Sequence, residues 1–241
     1  LFSRAVQYAL SAGVNNRALS EGSASLGIGS SSSARGAFAS GVFANAAAEG
    51  ASSLGGGTDA TGVLSAALGT YTRASGVSSM ATNVGSEATS DASFAANLLT
   101  KASGIASSSF GRQTVASGDY ANAFGERSVA TGRSSMVSGE NNRANGRASV
   151  AGGIRSVAQG VGSFANGLIS QSYGSGSFTS GILARSFGEG SSALGISSFS
   201  AGLSSFANGL NVRANLGIAN FASGANSQAS GRLASSAFNL N

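Results

Sequence analysis

The sequence predicts an all-β solenoid, with parallel strands wound in 14-residue coils. Three observations predict it. Glycine keeps a seven-residue beat, small residues are fixed to that beat, and a bulky apolar residue recurs on every second beat.

Glycine falls on every seventh residue from Gly104 to Gly209, sixteen times in succession. The register runs back through Gly76, Gly69, Gly62, Gly55, Gly41, Gly27 and Gly13, with Ser20, Ala34, Ala48, Asn83, Ser90 and Asn97 as exceptions. One residue is inserted after Gly209, and the beat resumes at Gly217, Gly224 and Gly231. A glycine in every heptad costs a helix about 1 kcal/mol each against Ala, which excludes a coiled coil. At a fixed beat it suits a bend of positive φ or a close approach of backbone, and Asn tolerates the same region.

The small residues come next. Two places before each anchor from Gly13 to Gly209 stands Ala or Ser, apart from Thr179 and Val137. Three places after it stands mostly Ser, Thr or Ala, as at Ser128, Ser135 and Ser149. All 23 charged residues except Arg4 lie one, two or four places after an anchor. Gly, Ser and Ala make up 130 of the 241 residues, a bias that otherwise reads as a flexible linker. A linker does not exclude charge from four positions in seven, and 41% hydrophobic residues with no proline also argue against disorder. The chain is expected to fold.

The third observation doubles the beat. The residues three and one before alternate anchors share one side of a strand, and each such pair holds one bulky apolar residue. The row includes Phe38, Leu54, Leu68, Met80, Phe94, Phe110, Phe124, Met136, Phe164, Phe178, Leu194 and Phe206. The intervening half-coils are mostly polar there, with Arg17, Asn45, Asp59, Arg73, Glu87, Lys101, Arg143, Arg185 and Arg213. Each coil therefore has an apolar strand and a wet strand. If Ala, Ser and Gly fill a thin interior, the bulky row points outward over roughly 65 Å and is a candidate oligomer interface. The alternative is that one bulky residue per coil fills the roll.

This gives one repeat domain over residues 11–235, of roughly 16–17 coils and about 80 Å. Residues 1–10 are off the pattern and read as an N-terminal cap or connector, and residues 236–241 as a C-terminal tail. The ends of a solenoid are open edges, so end-to-end assembly is a further expectation.

The strings Ser128-Val129-Ala130-Thr131-Gly132, Ser149-Val150-Ala151-Gly152-Gly153, Ser163-Phe164-Ala165-Asn166-Gly167 and Ser205-Phe206-Ala207-Asn208-Gly209 carry a family likeness. Over about residues 11–235 the chain resembles the YadA-like heads of trimeric autotransporter adhesins. The resemblance implies a left-handed parallel β-roll, a homotrimer, and adhesion to host or extracellular-matrix molecules at the bacterial cell surface. Attachment to the outer membrane would then lie in regions outside this chain. No neck motif, coiled-coil stalk or membrane anchor follows the last repeat, which fits an excised head. It also leaves open a subunit of a self-assembling extracellular filament or of a viral or phage fibre.

Catalysis is not expected. With no His and no Cys, the usual base for a serine nucleophile, the thiolate and the soft metal ligands are missing. Neither an acidic cluster for calcium nor the GK[ST] of a phosphate loop is present, so no cofactor or metal is expected. The net charge of +5 is too dilute for a nucleic-acid arm, and no apolar run reaches the ~20 residues that span a bilayer. Thr is scattered and forms no long ladder, against an ice-binding array. One belt is a candidate ligand surface: Arg112, Arg127, Arg133, Arg143, Arg147 and Arg155, with Asp119, Glu126 and Glu140 among them. It binds acidic matrix or glycan surfaces, or it is a solubilising ladder of alternating salt bridges.

Overall fold

The computed structural model describes residues 3–6 and 8–239. They form two compact units, Leu1–Tyr120 and Ala121–Asn241. Each unit is a parallel β-solenoid, in which a five-residue strand and a two-residue strand alternate. The two units together hold 17 long and 17 short strands, about 17 coils of some 14 residues.

Register follows the 14-residue repeat through most of both units. In the first unit Ala66–Thr70 pairs in parallel with Met80–Val84, residue for residue at a separation of 14. Its short strands do the same, as Arg73↔Glu87 and Ala74↔Ala88. In the second unit Val150–Ile154 pairs with Phe164–Leu168 and Val157 with Gln171. One residue is inserted in each of the last two coils, so Phe206 pairs with Phe221, Arg213 with Gln228 and Phe221 with Ser236, each at a separation of 15.

The interior is built from four small side chains per coil. In one coil they are Ala67, Thr72, Ala74 and Ser79; in another they are Ala151, Ser156, Ala158 and Ser163. Each is at most 1% exposed. The largest fully buried side chains are Val137 and Val212, so no wide core exists in either unit. Ala packs without losing side-chain entropy, and several of the hydroxyls satisfy backbone carbonyls that the bends leave free, whereas those of Thr72 and Ser163 make no hydrogen bond. Ser149 Oγ donates to the Gly146 carbonyl at 2.6 Å, and Ser170 Oγ donates to that of Gly181, in the next coil, at 2.7 Å.

The glycine beat has two physical causes, one for each half-coil. Gly69 lies in a long strand at φ +124°, and a Cβ there would meet the Asn83 carbonyl oxygen at 2.0 Å. Gly132 follows a short strand with no positive φ, yet a Cβ would stand 2.0 Å from the Gly146 carbonyl oxygen. The exceptions sort accordingly. Asn83 and Asn97 take the positive-φ class, at +78° and +91°, while Ser20, Ala34, Ala48 and Ser90 fall in the other. Outside the beat, the bend after each long strand from Leu10–Val14 to Phe221–Ala225 is left-handed even for large residues, as at Phe43, Tyr71 and Ile169 with φ of 53–58°. For a non-glycine residue that conformation costs about 1–3 kcal/mol.

Of the segment 1–10, residues 1, 2 and 7 lie outside the described residues, as do 240 and 241 of the tail. Within the rest, Arg4–Ala5 is a short strand in register with Arg17–Ala18, and Leu10 opens the long strand Leu10–Val14. At the other end Ser236–Asn239 pairs with the strand that begins at Phe221. The coil register thus extends into both flanking segments.

Candidate functional site

The first and third residues of each long strand point outward, because the second is the buried Ala, Ser, Thr or Val. This places the sequence-predicted apolar row on the outer face of both units. Phe38, Leu54, Leu68, Met80, Phe94 and Phe110 lie on the first unit, and Phe124, Met136, Phe164, Phe178, Leu194 and Phe206 on the second. None fills the interior, since the Ala and Ser positions already occupy it. Leu54, Met80, Phe124, Met136 and Phe178 are 36–42% exposed, and the others are half-buried by neighbours in the row.

Within each unit the row is packed along its length. Phe94 and Phe110 meet edge to face with centroids 4.8 Å apart, and Phe164 and Phe178 stack at 4.8 Å within 3° of parallel. Phe206 stacks on Phe221 at 5.1 Å, and Phe221 lies 5.2 Å from Phe238. Phe221 and Phe238 extend the row beyond the members that the sequence count picks out. One inserted residue before Gly217 moves Phe221 out of the simple count, and restarting at Gly217 recovers it; a second, between Gly224 and Asn239, moves Phe238 out again. A large residue in one coil alternates with a small or polar one beside it, so the row is ridged rather than flat.

The arginine belt separates onto different edges of the coil. Arg112 ends a long strand of the first unit. In the second unit Arg127 and Arg155 occupy left-handed bends two coils apart, with Asn141 between them. Arg143 lies on a short strand between Val129 and Val157. Arg133 and Arg147 share one corner in successive coils, each handing its carbonyl to the coil that follows. Glu126 and Glu140 stack directly in register, and Arg127 pairs with Glu126 at 3.1 Å. The belt therefore brings Arg133 beside Arg147 and leaves Arg143 on a separate face.

Alternating ion-pair ladders do occur, in the first unit. Asp59, Arg73, Glu87 and Lys101 follow one another on the short strands, with Arg73–Asp59 at 3.9 Å and Lys101–Glu87 at 3.3 Å. Arg35 binds Glu49 one coil on, and this hydrogen bond holds its guanidinium above the ordinary arginine range. Glu21 on the other side adds to that more weakly.

Among the described residues no three His, Cys, Asp or Glu come together as a metal site. The buried serines are spread through the interior rather than gathered beside a titratable base. Neither a protein-family model nor a curated protein matches this chain.

Proposed function

We propose that this chain is a non-enzymatic adhesive and structural head module. Three copies join through the apolar row, each a left-handed β-roll, and they act outside the cell, at a bacterial surface, on host or matrix molecules. The observation that carries the reading is the placement of Phe, Leu and Met on the outer face of every long-strand stack. A soluble monomer seldom leaves so long an apolar surface in water. Burying one Phe side chain gains about 1.5–3 kcal/mol, and one bulky residue per coil repeats that gain along the row.

The polar short-strand faces and charged corners support the other half of the proposal. Once the row is covered, these surfaces remain for a ligand, and they are where the coils differ most from one another. An interior of Ala and Ser leaves no cavity within the roll for turnover. Latex beads coated with the purified chain test this reading on collagen, fibronectin and laminin films. Retention well above albumin-coated beads on at least one film is the expected result. Retention equal to albumin on all three would overturn the adhesive reading.

A further inference from the structure

We propose that Arg185, Phe199 and Arg213, on the outer face of the second unit's short strands, form a binding site for an acidic sugar. The sugar would be a pyranose carrying a carboxylate or a sulfate.

The three residues are direct neighbours. Arg185 pairs in register with Phe199, and Phe199 with Arg213, so Phe199 stands between the two arginines at the same position of successive coils. Outward positions of successive coils are ~4.8 Å apart, which spaces the two arginine α-carbons at about 10 Å across the ring. Beside them is an open cavity of about 450 Å³, which Asn211 and Asn215 also line. Behind Phe199 the aromatic surface continues. Phe187 lies 5.4 Å from it, and Tyr173 stacks on Phe187 at 4.8 Å. A second hollow of about 590 Å³ lies against Phe187, Phe199 and Leu216.

Charge complementarity selects the ligand. Among the described residues neither Arg185 nor Arg213 has a carboxylate within ion-pair distance, and Glu189 is the only acid between Arg155 and Asn241. Two forked donors without acids recognise a planar or tetrahedral anion in bidentate fashion. The ring between them offers an apolar face to the C–H side of a pyranose, while the Asn amides match its hydroxyls. A bare inorganic anion would not use the rings, and a neutral sugar would not use the arginines. Single-stranded nucleic acid requires a basic groove that tracks its backbone, and two cations do not supply one.

The site deepens the adhesive reading by naming a ligand class, and it rests on that reading only for its purpose. Binding itself needs neither the trimer nor the apolar row. Isothermal titration of the whole chain tests it, with heparin-derived and hyaluronan-derived hexasaccharides as the sulfated and carboxylated probes. At least one probe should bind at one site per chain. R185S/R213S and F199A should each weaken that binding about tenfold or more, and R17S, on a short strand of the first unit, should leave it unchanged. Because an Arg-to-Lys exchange keeps charge but loses the fork, R185K/R213K should fall between wild type and the Ser pair.

Several results would overturn the site: no binding of either acidic probe, equal binding of maltohexaose, tighter binding of oligo-dT, or full affinity in a well-folded R185S/R213S. The mass of the same samples separates the two proposals. A trimer that ignores both probes removes only the sugar site. A monomer that binds one removes only the assembly.

Discussion

The carboxamide oxygen of Asn142 accepts the backbone N–H of Ser156, one coil further along the chain, at 2.7 Å. Its Nδ2 donates to the Ser138 carbonyl at 2.6 Å and to that of Gly153 at 2.7 Å. One buried side chain thereby ties two successive coils where most others carry Ser or Thr. Asn16 is placed likewise, donating to Gly27 at 2.8 Å and accepting from the Ser30 N–H at 3.0 Å. Asn220 repeats the arrangement with Gly231 and Ser235.

Asn142→Ala removes three hydrogen bonds and leaves their backbone partners buried. At roughly 1 kcal/mol for each bond it should lower the unfolding free energy by about 3 kcal/mol, read from urea unfolding followed by circular dichroism. Asn142→Ser, which restores the residue type used in neighbouring coils, should cost about a third as much. Equal curves for Ala and wild type would mean that the clamp contributes nothing.

The two causes of the glycine beat are separable by substitution. Gly162 has φ +63° and open space where a Cβ would be, so Gly162→Ala should cost only the left-handed strain, about 1–2 kcal/mol. Gly132 has no such φ but a carbonyl oxygen 2.0 Å from the same point, so Gly132→Ala should cost several-fold more. Equal midpoints for the two variants in thermal unfolding would contradict this division.

The exposed ladders are expected to matter little for stability. Arg35 and Glu49 both lie at the surface, with side chains 69% and 54% exposed. Arg35→Ser should leave the thermal midpoint within experimental error of wild type, at low salt as well as high. A clear fall confined to low salt would show that the ladder is a structural element.

Much of this fold is legible in the sequence, because each half-coil stamps its backbone contact on one residue. Gly69 and Gly132 are read as glycine for different reasons, yet both keep the count. The same count places Phe164 and Phe178 in one row. Other features leave no such mark. The bend at Phe43, Tyr71 and Ile169 is left-handed, but its side chain faces outward, so Gly57 and Asn141 share the position with large residues and no constant residue type announces the conformation. The change of unit after Tyr120 is silent because Gly118 and Gly125 keep the beat through it. Phe199 is hidden among polar half-coil positions. It emerges only when the short strands are aligned as a column, from Val157 and Gln171 through Arg185 to Arg213.

The apolar row can be disabled without touching the interior. Phe164 and Phe178 stack on each other at the surface, so the F164S/F178S pair should keep the β-sheet spectrum while losing about 3–6 kcal/mol of association per chain. Sedimentation velocity at micromolar concentration should then show the chain shifting to a monomer. A variant that stays assembled would place the contact elsewhere.

The most direct test of the account is the absolute mass of the purified chain, by size-exclusion chromatography with light scattering. The account predicts a single sharp species of about three times the 23.2 kDa chain. A stable monomer would contradict it, because the outward row of Phe, Leu and Met would then stay uncovered in water.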